Sequence, residues 1–197
     1  TERNSRAPPV VYFAALGLGF LLVEVALVQR FVLFLDHSAR SFAIVVFVLL
    51  AFSGLGSVFS PKMPWRGGLA VLVATVALYP VVLSTLLPAT LGWPLGARIG
   101  ITILLLAPLG FLMGIGFPRG LVSLGVARPS RLPLAWGVNG FMSVVSAILA
   151  PMIALSSGFE IVFLCAALAY AIALLTARSG RQIALVQLQR VRQGFQV

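Results

Sequence analysis

The sequence predicts an all-α, polytopic membrane protein with six transmembrane helices and a C-terminal basic amphipathic helix. Of its 197 residues, 60% are hydrophobic and only 9% are charged, whereas an average soluble domain carries about a quarter charged residues. The apolar residues form six runs near the roughly 20 residues that a membrane-spanning helix needs. Because the basic residues lie mostly in short gaps between these runs, the net charge of +10 indicates membrane topology rather than a nucleic-acid surface.

Proline and glycine mark several of the six runs. Pro8 and Pro9 precede the first run, where proline starts a helix without losing an internal hydrogen bond. Pro80 is expected to kink the third run near its far end. Gly110 and Gly114 in the fourth run have the spacing at which two helices can approach closely. Within a single transmembrane domain, 1–177, the predicted spans are approximately 10–35, 41–59, 68–87, 99–117, 134–155 and 160–177.

The distribution of Lys and Arg predicts the orientation. With six spans, both termini and the second-to-third and fourth-to-fifth loops lie on one side, and only Arg30, Arg40 and Arg98 belong to the other. Cytoplasmic loops carry an excess of Lys and Arg. We therefore expect both termini in the cytoplasm, with the inner membrane of a bacterium as the location. The cations on that side are Arg3, Arg6, Lys62, Arg66, Arg119, Arg128, Arg131, Arg178, Arg181, Arg190 and Arg192.

Two basic segments are candidates for docking an acidic partner or lipid head groups. One is the predicted loop formed by GFPRGL (116–121) and ARPSRLP (127–133). The other is the tail, 178–197, whose apolar residues fall on one helical stripe and whose arginines lie largely away from it. This pattern favours an interfacial helix on the cytoplasmic leaflet, and an unstructured basic tail is an equal alternative. The candidate docking residues are Arg119, Arg128, Arg131, Arg181, Arg190 and Arg192.

The first span contains a carboxylate, Glu24, near the middle of the membrane. Such a group is costly in lipid and normally faces protein or trapped water. Gly17, Leu21, Glu24 and Val28 follow three-four spacing along one helix-packing seam, so we expect the partner of Glu24 on another helix. Gln29 and Arg30 are further polar candidates in this span, but they point away from Glu24. Two interpretations remain: a proton or cation site, or a carboxyl group that fixes helix packing.

The fifth span carries a second seam of polar and small residues. Trp136, Asn139, Ser143 and Ser146 follow three-four spacing, and such side chains commonly form hydrogen bonds between membrane helices. If the first and fifth spans touch, we expect Ser143 or Ser146 to be the partner of Glu24. For Trp136 we favour an interfacial aromatic belt over a ligand-stacking role.

The sequence contains no pattern of catalytic or metal-binding residues, so we expect neither an enzyme, a metal site nor a cofactor in this chain. Asp36 and His37 follow the first span, and one of each does not make a metal site. Asp36 is predicted to be a turn residue, and Ser38 or Ser41 to help start the second helix.

Three stretches together resemble the C-terminal membrane region of the spermidine synthase-like polytopic membrane proteins. They are GLGFLLVEVALVQRF with the following LFL and VVFVLLAFSGLGS, then GFPRGL, and finally LAWGVNGFMSVVSAILAPMIALSSGF. The resemblance extends from Leu16 to about Phe159, although Asp36, His37 and Ser38 replace a Gly-His-Pro-like turn. It implies that a soluble Rossmann-like domain similar to aminopropyltransferases precedes this region. We therefore expect a piece of a longer product, in which these 197 residues alone are not an aminopropyltransferase.

The leading functional hypothesis is a non-catalytic integral membrane subunit or anchor of a spermidine synthase-like system, which packs against partner proteins and membrane lipids. The alternative is a transporter-like module that moves a cation or polyamine by means of Glu24, with the proline-containing helices as moving parts. A second alternative is an accessory subunit of an energy-converting membrane complex.

Overall fold

A computed structural model describes residues 7–177, and this part of the chain folds into helices without strands. Six helices are each long and apolar enough to cross a membrane, which confirms the predicted all-α, six-span architecture. The tail that carries Arg181, Arg190 and Arg192 lies outside the described residues. The helices are α1 (Ala7–Phe34), α2 (Ser38–Phe59), α3 (Trp65–Thr90), α4 (Leu95–Ala127), α5 (Leu132–Ser157) and α6 (Phe159–Thr176).

Helix α1 is the centre of the bundle and packs against α2, α4, α5 and α6. Phe13, Leu22, Leu27 and Phe31 of this helix are fully buried. A helix that is hydrophobic all round is expected in such a buried position. Around this centre, α2 packs on α4, and α3 packs on α4 and α6. The polar residues of α1 are therefore positioned by several helices at once.

Helices α2 and α4 approach so closely that glycine is required at their contact. A Cβ atom at Gly56 would overlap the carbonyl oxygen of Phe111, and one at Gly114 would overlap the carbonyl oxygen of Ser53. A Cβ at Gly110 would lie 3.0 Å from the carbonyl oxygen of Leu49. The Gly110 and Gly114 pair is thus the α4 side of a helix contact, as its spacing predicts.

Two arginines satisfy the carbonyl groups at the end of α1. Arg40 donates a hydrogen bond to the carbonyl oxygen of Leu35 (2.9 Å), and Arg98 donates one to that of Phe34 (2.8 Å). Arg98 also forms a bidentate ion pair with Asp36, with one N···O distance of 3.0 Å. Cations are favourable at a helix C-terminus, where carbonyl groups lack intrahelical partners. Two of the three exceptions to the predicted charge bias, Arg40 and Arg98, therefore have a structural role. We call this side of the bundle the Asp36 end.

The opposite side, which we call the basic end, is joined by long-range hydrogen bonds. Tyr12 donates its hydroxyl proton to the carbonyl oxygen of Gly116 (2.7 Å), and the Trp65 indole N–H donates to the Tyr12 hydroxyl (3.0 Å). Arg66 donates to the carbonyl oxygen of Ala177 at the end of α6 (2.9 Å). These bonds connect α1, α3, α4 and α6 at one membrane surface.

Two local predictions are wrong. The GFPRGL stretch is not a turn, because α4 continues through it to Ala127. Packing against α1 explains this, since neighbouring helices allow proline within a membrane helix.

The second helix is not started by a serine side chain: the His37 ring nitrogen Nδ1 accepts the Ala39 N–H (3.3 Å). Ser41 instead donates to the carbonyl oxygen of Val28 (2.7 Å). Asp36 is in the turn, with a φ of 61°.

Candidate functional site

The polar seam of α5 lies directly on α1. Asn139 donates from Nδ2 to the carbonyl oxygen of Phe13 (3.1 Å), Ser143 to that of Gly17 (3.3 Å), and Ser146 to that of Leu18 (2.7 Å). A Cβ at Gly17 would overlap the carbonyl oxygen of Asn139, so the backbones meet here. The two seams come together, but the serines bond to backbone carbonyls. The prediction that Ser143 or Ser146 is the partner of Glu24 is wrong.

Replacing Ser146 by alanine is expected to weaken the α1–α5 contact. Ser146 is completely buried and makes one interhelical hydrogen bond, and such bonds in membrane proteins are worth about 0.6 kcal/mol on average. We expect thermal unfolding of the purified protein in detergent to show a loss of that size. Ser156→Ala is the control, because Ser156 is exposed and bonds within its own helix. Equal stability of both variants would contradict the role assigned to Ser146.

Glu24 is half-buried and has no hydrogen-bond or ion-pair partner within residues 7–177. It lies about 15 Å from the Phe34 end of α1, at 1.5 Å per residue, which is near the middle of the membrane. The α1–α5 hydrogen bonds join residues 126 to 128 positions apart. The same register places Glu24 at the level of Ala150. Its electrostatic neighbour is Tyr170 of α6.

A groove opens on the side of the bundle between α2 and α5, and we call it the α2–α5 groove. Its cavity volume is about 540 Å³, within the roughly 300–1,000 Å³ range of ligand pockets. Its α2 wall contains Ser53, Gly54 and Ser57. Its α5 wall contains three of the predicted site residues, and α1 and α4 form the floor. The α5 wall consists of Trp136, Asn139 and Ser143, and the remaining lining residues are Leu16, Phe20, Leu50, Met113, Gly114, Phe117, Pro118 and Tyr170.

Tyr170 lines the groove from α6, and sequence reasoning missed it. The side chain is only 1% exposed, and its hydroxyl is one of two buried side-chain polar atoms without a partner in the described part of the chain. The ring lies against Gly19, where a Cβ would be 3.0 Å from the ring carbons. The sequence feature that could have identified Tyr170 is that it is the single tyrosine in the otherwise apolar run of α6. An unpartnered buried hydroxyl is costly unless a partner or a ligand supplies a hydrogen bond.

The other predicted site residues lie apart from one another. Trp136 is 60% exposed at the mouth of the groove, and its ring meets that of Phe117 edge to face at 4.8 Å. Gln29 is partly buried on α1, and Arg30 lines a separate cavity near the Asp36 end. No ion pair joins Arg30 to Glu24 among the described residues, in agreement with the helical spacing.

The described basic candidates lie at the basic end but not on one loop. Arg119 is within α4 and acts electrostatically on Tyr12. Arg128 follows the last residue of α4 and lines a small pocket beside Trp65. Arg131 ends a short 3-10 turn, Pro129–Arg131, before α5. The predicted cluster is therefore spread from a helix to the following turn.

Comparison with protein-family models, with curated proteins and with solved structures finds no match for this chain.

Proposed function

We propose that this chain is a non-catalytic integral membrane subunit or anchor that binds a transmembrane helix of a partner protein in the α2–α5 groove. The observation that carries the proposal is Glu24, a half-buried carboxyl group without a partner in residues 7–177. It lies one helical turn beyond Phe20, which lines the groove. A partner helix in the groove supplies the missing hydrogen bond or charge near the middle of the membrane.

The walls of the groove support a helix as its occupant. Ser53, Gly54 and Ser57 on α2 face Asn139 and Ser143 on α5 across it. Small and hydrogen-bonding residues let membrane helices approach closely and form hydrogen bonds across the interface. The groove, whose lining is mostly apolar with small and hydrogen-bonding residues on both walls, is therefore suited to a second membrane helix.

Transport of a cation or polyamine is the alternative proposal, but the interrupted helices that would favour it are not found at Pro80 or Pro108. Secondary transporters use interrupted helices around a midplane site. Here α3 continues through Pro80 and α4 continues through Pro108. Glu24 still supplies the charge that cation or polyamine transport would need. Flux in proteoliposomes that Glu24→Gln abolishes would favour transport over the anchor.

The proposal also includes two earlier expectations: that both termini face the cytoplasm, and that this chain is the membrane part of a spermidine synthase-like system. Lys62, Arg66, Arg119, Arg128 and Arg131 lie toward the basic end, which we assign to the cytoplasm of a bacterial inner membrane. In that orientation Arg119 and Arg131 face the side where acidic partner loops and anionic lipid head groups would dock. An accessory role in an energy-converting complex is a special case of the same anchor function.

Filling the groove is expected to release the partner without unfolding the chain. Gly54 lines the groove, and a Cβ at this position meets no atom within 4 Å. Gly54→Leu should therefore fold normally and reduce partner binding by at least tenfold. The measurement combines a photo-crosslinking residue at Ser57 in native membranes with quantification of the crosslinked protein.

Gly100→Leu is the matched control, because Gly100 is also an exposed helix residue with no atom within 4 Å of its Cβ but lies outside the groove. It should leave the crosslink unchanged. Crosslinks from Ser57 to lipid alone, or a protein crosslink that Gly54→Leu does not reduce, would overturn the proposal.

A further inference from the structure

A second cavity lies toward the Asp36 end, away from the α2–α5 groove. Its volume is about 330 Å³, within the range of ligand pockets. It is enclosed by α1, by α3 around Pro80 and Leu83, and by the connection from α5 to α6. Arg30 is about 6 Å from the end of α1, at 1.5 Å per residue. The cavity is therefore close to the level of the lipid head groups.

Two opposite charges face this cavity without pairing. Arg30 and Glu160 are the only charged side chains that line it in the described part of the chain. No ion pair or hydrogen bond joins them, and within residues 7–177 neither has another such partner. Arg30 is partly buried, and Glu160 is exposed at the start of α6. An arginine within a membrane-spanning helix normally pairs with an opposite charge or with backbone carbonyls.

We propose that this cavity binds a zwitterion that carries a phosphate and a primary ammonium group, with the phosphate on Arg30 and the ammonium on Glu160. Arg matches a phosphate group with two parallel hydrogen bonds, and a carboxylate accepts hydrogen bonds from an ammonium group. The apolar part of the lining is formed by Pro80, Leu83, Phe159, Ile161 and Phe163. The shared chemistry is that of phosphoethanolamine, either as the head group of a phospholipid or as a free zwitterion.

The test measures lipid binding to the purified full chain by native mass spectrometry. Dioleoyl-phosphatidylethanolamine should bind about tenfold more tightly than dioleoyl-phosphatidylglycerol, which has the phosphate but no ammonium; one charge-assisted hydrogen bond has this magnitude. Glu160→Gln should remove the difference between the two lipids, and Arg30→Gln should weaken both. Lys62→Gln at the basic end is the matched control and should change neither.

Competition by phosphoethanolamine in water identifies the source of the ligand. If phosphoethanolamine competes with the lipid, the cavity accepts the free zwitterion. If the ethanolamine lipid binds and phosphoethanolamine does not compete, the ligand is the membrane head group. Because Glu160 is exposed, Glu160→Gln is expected to fold normally. Equal binding of the two lipids, or a preference that Glu160→Gln leaves unchanged, would overturn the proposal.

Discussion

Gly56→Ala is expected to lower the free energy of unfolding by about 3 kcal/mol, the upper part of the typical cost of overpacking a close contact. The added Cβ would overlap the backbone carbonyl oxygen of Phe111, which no side-chain rearrangement relieves. Helices α2 and α4 must separate, and the contact between Gly114 and Ser53 is lost with them. Thermal or denaturant unfolding of the purified protein in detergent measures the loss.

Gly54→Ala is the control for this substitution, because Gly54 is two residues away in the same helix and its Cβ meets no atom within 4 Å. Alanine is about 1 kcal/mol more favourable than glycine inside a helix, so this variant should be as stable as the parent or slightly more stable. Similar changes in stability for Gly54→Ala and Gly56→Ala would contradict the close packing of α2 on α4 at Gly56.

Arg98→Gln is expected to give the second large effect. The variant loses the hydrogen bond from Arg98 to the carbonyl oxygen of Phe34 (2.8 Å) and the ion pair with Asp36. A hydrogen bond from a charged group is worth about 1.5–3 kcal/mol, and we expect a loss of that order for the contact with Phe34. Equilibrium unfolding of the purified protein measures it. Wild-type stability in this variant would contradict the capping role.

The ion pair between Arg98 and Asp36 makes the stability of the folded protein depend on pH, and this dependence is a second test of the contact. The hydrogen bond from Arg98 lowers the pKa of Asp36 from its usual value of 3.8. The contact therefore stabilises the folded protein at pH values above 3.8, and this contribution is lost as the pH falls through the lower pKa of the folded state. Stability measured from pH 6 to pH 2 should fall in the parent protein, and the part due to Asp36 should be missing in Arg98→Gln.

The six-helix architecture could be predicted from the sequence, because a bilayer requires long apolar spans with charged residues between them. The sequence also identified the polar seams of α1 and α5, since three-four spacing identifies a helix face, but it left open whether the two helices touch. It did not identify the acceptors of Ser143 and Ser146, because every backbone carbonyl is a potential acceptor and no residue type marks which one is close. Tyr170 was missed for a related reason: whether a hydroxyl finds a partner depends on the packing of other helices.

The end of α4 shows the same limit. Gly116, Pro118 and Gly120 together are typical of a turn, but Gly116 and Gly120 pack against side chains of α1. This tertiary contact makes a continuous helix more favourable than the local sequence preference suggests.

The central position of α1 has a consequence for biogenesis. Of the six spans that the structure describes, α1 leaves the ribosome first and becomes the bundle's innermost helix, although its hydrogen-bonding neighbours on α5 are synthesised 126 to 128 residues later. Arg98 follows its partner Asp36 by 62 residues. Until those later segments enter the membrane, the backbone around Gly17 and the carboxyl of Glu24 must be shielded by the insertion machinery or by a partner chain already in place.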